Sequence, residues 1–152
     1  MSVVILYGTE TGNSELVADA IADVLALKHD PSMYDMSEFA VGDLDPEDFL
    51  VVVCSTYGDG ELPSGAEPFA DDLDALSPDL TGLRFAVFGL GDAIYGETFN
   101  RGGDLMAEKL IAHGATQVGE HARHDYSSAI KPTVMAAQWA ENLIPLIDPV
   151  TA

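Results

Sequence analysis

Three strong strand patterns constrain this chain most: Val3–Tyr7, an apolar run with β-branched residues, Phe49–Ser55 and Arg84–Leu90. The first two are apolar without alternation, so they read as strands buried in a parallel sheet, and the third is closed by Gly89 and Gly91. Parallel neighbours need long crossovers, and the sequence supplies helical ones. Leu16, Val17, Ala20, Ile21, Val24 and Leu25 recur at helical spacing from about Gly12 to Leu27. Phe69, Leu73 and Leu76 suit a helix ending before Pro78, and Leu105, Met106, Leu110 and Ile111 one stopped by Gly114. A second strand is expected near Met33–Met36 and a short last strand at Thr116–Gly119. A final helix over Val134–Ile147 carries Trp139, Leu143 and Ile144 on its apolar side. Met106 and Trp139 read as core. Strand and helix alternate throughout, so the class is α/β with a mainly parallel sheet and helices on both faces.

Composition bounds the rest. The 152 residues fit a single domain spanning 1–152, long enough to bury a core without disulfides or metal. There are 26 acidic residues against six Lys plus Arg, a formal net charge of -20. Such a surface repels nucleic acid and anionic membranes and suits partners with a basic face. The same charge also serves solubility or a salty cytoplasm. The single cysteine, Cys54, lies inside an apolar run, so it reads as a buried thiol in a reducing compartment. The N-terminus enters a strand directly, without a signal-peptide pattern. No apolar run approaches the roughly 20 residues of a membrane helix. A cytoplasmic chain is expected.

The unusual loops follow the C-terminal ends of the three strong strands: Gly8–Ser14, Ser55–Gly65 and Gly89–Gly103. In an open parallel sheet those ends share one edge, where ligands bind. The first loop offers hydroxyls at Thr9, Thr11 and Ser14 and an amide at Asn13, beside a helix N-terminus that favours a phosphate. A helix cap by Thr11 or Ser14 explains one of these donors but not four in six residues. The loop has no Lys, unlike a triphosphate-binding loop, and the Gly-x-Gly-x-x-Gly dinucleotide pattern is missing. In the second loop, Gly58 and Gly60 flank Asp59, and Tyr57 offers a flat face. Tyr95 offers another in the third loop. Either tyrosine alone reads as packing; the pair, beside a phosphate cradle, suggests an aromatic sandwich for a planar ring.

Tyr7–Glu15, Ser55–Gly65 and Phe88–Asn100 resemble the three cofactor loops of the flavodoxin family. The chain is most similar to short flavodoxins of the MioC type and to the FMN domains of cytochrome P450 reductase and sulfite reductase. The likeness runs from Val3 to about Leu146 and is especially clear over Gly82–Asp92. It implies a three-layer α/β/α sandwich with a five-stranded parallel sheet in order 2-1-3-4-5. It also implies FMN as cofactor, with Thr9, Glu10 (through its backbone), Thr11, Gly12, Asn13 and Ser14 around the phosphate. Thr56, Tyr57, Gly58, Asp59 and Gly60 would lie along one side of the ring. Leu90, Gly91, Asp92 and Tyr95 would border the other, with Tyr95 as the main stacker. Phe99 and Asn100 match a Phe-Asn pair of the reductase domains, although one extra residue separates Tyr95 from Phe99 here. Asp125 would sit near the ribityl chain or ring, as an acid does in the reductases.

The resemblance further implies an electron-transfer protein rather than an enzyme, with no general base or nucleophile required. Electrons would pass singly, and the Gly58 carbonyl could turn toward N5 of the flavin, a motion glycine permits. Asp59, Glu61, Asp92 and Glu97 would form an acidic rim. The expected partners are basic-faced redox proteins, a flavodoxin or ferredoxin reductase and an acceptor enzyme, meeting a monomer. The alternative is an FMN-dependent assembly or regulatory protein. A receiver domain of the same topology needs paired acids after the first strand, where Gly8 and Thr9 stand. A quinone reductase would carry dimerising insertions of which the sequence shows none.

Overall fold

A computed structural model describes residues 2–8, 13–56, 62–91 and 100–147, with Asn13 described by its backbone alone. The chain order is β1 (Val3–Gly8), α1 (Asn13–Leu25), β2 (Pro31–Asp35), β3 (Phe49–Ser55), α2 (Glu67–Leu76), β4 (Arg84–Gly91), α3 (Arg101–Ala112), β5 (Thr116–Gln117), β6 (Ala122–Asp125) and α4 (Pro132–Ile147). Short 3-10 turns at Met36–Glu38 and Val41–Asp43 link β2 to β3.

The sheet is parallel, in the order β2-β1-β3-β4-β5, with β6 also paired to β4. The expected order therefore holds. The second strand lies slightly earlier than the apolar run suggested, because Met36 turns inward as the first residue of a 3-10 turn capped by Asp35.

Successive residues of β3 serve opposite layers, as strand geometry requires. Phe49, Val51 and Val53 pack with Val17, Ile21, Phe88 and Trp139 on the α1/α4 side. Leu50, Val52 and Cys54 pack with Phe69, Leu73, Phe85 and Met106 on the α2/α3 side. Each such side chain contributes about 1.5–3 kcal/mol on full burial. Both faces of the central strands are covered, which is why the sequence runs lack alternation. Met106 and Trp139 are core residues, as expected.

The fifth position of the sheet differs from expectation. The predicted strand Thr116–Gly119 breaks after Gln117, and a second piece pairs further along β4. Between Phe85↔Gln117 and Phe88↔Ala122 the register advances three residues on β4 and five on the other strand, leaving two extra residues. Gly119 takes φ +77 there, a conformation that suits glycine. The Glu120 carbonyl leaves the ladder and accepts instead from Trp139 Nε1 at 2.8 Å.

At the opposite end of the sheet, Arg84 at the start of β4 donates to the carbonyls of Leu146 and Ile147, at 2.9 and 2.7 Å. A cation on orphan carbonyls at a helix C-terminus is favourable. It holds the last turn of α4, which contains Pro145, against the sheet.

Candidate functional site

The register aligns the strand ends in a row. Gly8 pairs with Cys54, Cys54 with Gly89, Ser55 with Leu90, and Gly91 with Asp125. The first residues of α1 follow Gly8 by a short connection, so a helix N-terminus with unsatisfied N–H groups stands at this edge. The charged side chain in its first turn is Glu15. Among the described residues, the donors this helix end offers an anion are backbone N–H groups, aided by the helix dipole. That chemistry fits the phosphate of a flavin nucleotide.

Ser14, the second residue of α1, is fully buried. Its hydroxyl donates to the Gly8 carbonyl at 3.0 Å and lies 2.6 Å from Ser55 Oγ. Either hydroxyl can donate in that second bond. The first loop and the end of β3 are therefore joined by a pair of hydroxyls.

A second junction joins β3 to α3. Thr56 N–H donates to the Leu90 carbonyl at 3.0 Å, and Thr56 Oγ1 accepts from Gly102 N–H at 2.9 Å. Thr56 thus satisfies a helix N–H that lacks an intrahelical partner. The approach is so close that a Cβ on Gly102 would fall 2.1 Å from the Ser55 carbonyl oxygen. Only glycine fits.

Asn100 forms the third junction. It is fully buried at φ +59, immediately before α3, and its Nδ2 donates to the His124 carbonyl at 3.1 Å. A Cβ at Gly89 would lie 2.6 Å from Asn100 Oδ1, and one at Gly91 would lie 2.9 Å from Asn100 N. The two glycines of β4 therefore make room for this side chain and backbone. Asn100 Oδ1 is buried with no hydrogen-bond partner among the described residues.

Of the predicted site residues, the structure gathers Ser14, Thr56, Leu90, Gly91, Asn100 and Asp125 at this one edge, with the backbone of Asn13. Asp125 is paired with Gly91, and its Oδ1 accepts from Ser127 N–H at 2.9 Å and Ser127 Oγ at 2.7 Å, fixing the turn that follows. Thr9, Glu10, Thr11, Gly12, Tyr57, Gly58, Asp59, Gly60, Asp92, Tyr95 and Phe99 lie outside the described residues, as do Glu61 and Glu97 of the expected acidic rim. The third loop is shorter than expected, because Gly89–Gly91 belongs to β4 and Arg101–Gly103 to α3.

Ser55 and Gly102 were not among the predicted site residues. A signal existed for each: a hydroxyl closing an apolar run, and a Gly-Gly pair inside a helix, where glycine is disfavoured without a packing reason.

Beside this edge, the break in the fifth position is held by charge. Arg123 pairs with Asp104 at 2.7 Å, and His121 lies 3.6 Å from the same carboxylate oxygen. Gln117 Nε2 stands 3.0 Å from His121 Nδ1. Burial, then the Arg123 charge, lowers the His121 pKa below its ordinary value, outweighing Asp104. Cys54 is wholly buried and its thiol is pushed up to about 12. Among the described residues no helix is long and apolar enough to cross a membrane, and no acid, His and Cys group could hold a metal ion.

Residues 5–138 match the family described as Flavodoxin, and the chain belongs to that family. Among its relatives is the MioC homolog of Haemophilus influenzae, 32% identical over 151 residues, covering 95% of this chain and 97% of that protein. The NADPH–cytochrome P450 reductase of Rattus norvegicus is 30% identical over 154 residues, covering 96% of this chain and 22% of the reductase. The chain spans 10% to 22% of the length of the longer relatives it matches. Among solved structures, a cysteine-to-serine mutant of flavodoxin from Pseudomonas aeruginosa superposes with a TM-score of 0.87 at 30% identity, covering 97% of this chain and 99% of that one. Family and fold support FMN as the cofactor and electron transfer as the activity class.

Proposed function

We propose that this chain is a one-electron carrier that holds FMN at the C-terminal edge of its sheet and passes electrons from a reductase to an acceptor protein. The supporting observation is the row of strand ends Gly8, Ser55 and Gly91, set beside the N-terminus of α1 and tied by neutral hydrogen bonds. FMN supplies the redox chemistry when bound. The chain's residues bind and orient it. The N–H groups opening α1, with the hydroxyls and amide of residues 9–14, would receive the phosphate. Tyr57 and Tyr95, on the second and third loops, would border the ring, and Gly58 would offer its carbonyl to the flavin N5. Gly91 and Asn100 anchor the third loop at its two ends. Asp125 borders the ribityl side.

The net charge of -20 supports docking to basic-faced proteins in a monomeric, cytoplasmic setting. The test is reduction of the purified chain by a ferredoxin/flavodoxin reductase, followed by reoxidation by an acceptor. Rapid transfer that slows with added salt is expected. A chain that takes up FMN but exchanges electrons with neither partner contradicts the shuttle role. Gly58→Pro is expected to shift the flavin's first reduction potential; an unchanged potentiometric titration removes Gly58 from the mechanism.

A further inference from the structure

A cavity of about 420 Å³ opens beside β2, away from the cofactor edge. Its walls include the rings of Tyr34 and Phe39 and the acids Glu38, Asp43 and Asp48. The two rings lie 5.2 Å apart, tilted by 48°. Phe39 is braced by the buried Phe69, 6.4 Å away, while Tyr34 is 44% exposed. The acids stand on ordered backbone. Glu38 belongs to the 3-10 turn that Asp35 caps by accepting from Ser37 N–H and Oγ. Asp43 belongs to the second such turn, and Asp48 Oδ1 accepts from Ser2 N–H at 2.9 Å. The cavity is thus formed before anything enters it.

Its chemistry selects the occupant. No Lys or Arg occurs from His29 to Leu83, a stretch that holds 14 of the 26 acidic residues. Among the described residues, the ion pairs lie on or beside α3, and none reaches an acid of residues 30–48. The three carboxylates of the cavity do not converge on a point that could hold a metal ion. Two aromatic rings among spread negative charges fit a planar cation instead. A guanidinium stacks on a ring face and donates from its edge to carboxylates, which a compact ammonium does less well. Residues 30–48 carry seven acids and no Lys or Arg, a surface complementary to a basic protein face rather than to a lone small cation.

We propose that this cavity is a docking anchor: it takes an arginine side chain from the basic face of a partner protein, with the guanidinium on the rings of Tyr34 and Phe39 and its N–H groups on the surrounding carboxylates. The partner's role rests on the carrier reading above. Val4 lines the cavity and Gly8 ends β1 at the cofactor edge, so about 13 Å of strand separates the two places. The anchor holds the partner and leaves the cofactor edge uncovered. It acts on affinity for the partner, not on the flavin.

The experiment titrates the full flavin-loaded chain with hexa-arginine and with hexa-lysine at low salt, following the ring resonances of Tyr34 and Phe39 by NMR. Beside it, KM and kcat are measured for reduction of the chain by a ferredoxin/flavodoxin reductase. Hexa-arginine should move both sets of resonances and bind about threefold more tightly than hexa-lysine, the equivalent of one exposed cation–π contact. Tyr34→Leu should abolish that preference and raise KM about threefold, with kcat and the flavin spectrum unchanged. Tyr34→Phe should keep it. Should Tyr34→Leu fail to fold, Glu38→Gln, on an exposed turn, should weaken both peptides and raise KM in the same way. Equal binding of the two peptides overturns the proposal, as do shifts confined to other residues or a KM that neither variant moves. A wild-type chain that the reductase does not reduce contradicts the carrier reading, a result separate from the peptide titration.

Discussion

The ends of β3 and β6 reach the same edge of the sheet and are held there by different chemistry. At β3 the contacts are neutral and directional: Ser55 to Ser14, Gly102 N–H to Thr56, and backbone against a glycine with no room for a side chain. Along the broken fifth position they depend on charge: Arg123 pairs with Asp104 of α3, and His121 lies 3.6 Å from the same carboxylate oxygen. Neutral hydrogen bonds hold geometry over a narrow range of distances and ignore salt. Partly exposed charge pairs tolerate displacement, and they weaken with ionic strength and with protonation. The edge of the candidate site is thus built on the part of the sheet least sensitive to its surroundings, while the fifth position is where solution conditions act.

The sharpest way to break this contrast is at Gly102. A methyl group there meets backbone, which cannot swing aside. Gly102→Ala should cost about 3 kcal/mol by urea denaturation and abolish flavin binding. An unchanged midpoint would show that the β3–α3 junction is loose. Asn100→Ala comes next. It leaves the His124 carbonyl without its Nδ2 donor and places alanine at φ +59. A loss of about 2 kcal/mol is expected.

The fifth position is probed by pH. The His121 pKa is lowered in the folded chain, chiefly by burial and then by Arg123. The neutral ring therefore contributes stability that is present above the ordinary value of 6.5 and is lost as pH falls through that value toward the lower folded one. His121→Gln should flatten the fall of the urea midpoint between pH 6.5 and 5, relative to wild type, in a comparison that holds every other carboxylate constant. Parallel curves would remove His121 from the acid response. The smallest effect is expected at Arg101, whose pair with Glu108 is exposed at 3.3 Å. Arg101→Ala should leave the midpoint unchanged.

These contrasts also explain what could be read from the residues alone. The central strands were legible because burial on both faces forces unbroken apolar runs such as Phe49–Cys54, and the helices because Leu16 to Leu25 repeat at 3.6 residues. The break after Gln117 was not legible. It depends on a Gly119 dihedral and on a carbonyl captured by Trp139 from a distant helix. Strand order came with the family likeness, since no local pattern states which strands are neighbours. At the site, glycines and hydroxyls marked the loops, but Ser55 looked like the tail of a strand. Its partner, Ser14, is 41 residues away in the chain, and only the fold brings the two together.

The central claim, that this edge holds FMN, is tested most directly by the visible spectrum of the purified chain, with the released cofactor identified. The account predicts the absorption bands of oxidised flavin and release of FMN, one per chain. A colourless protein that takes up no added FMN would contradict it.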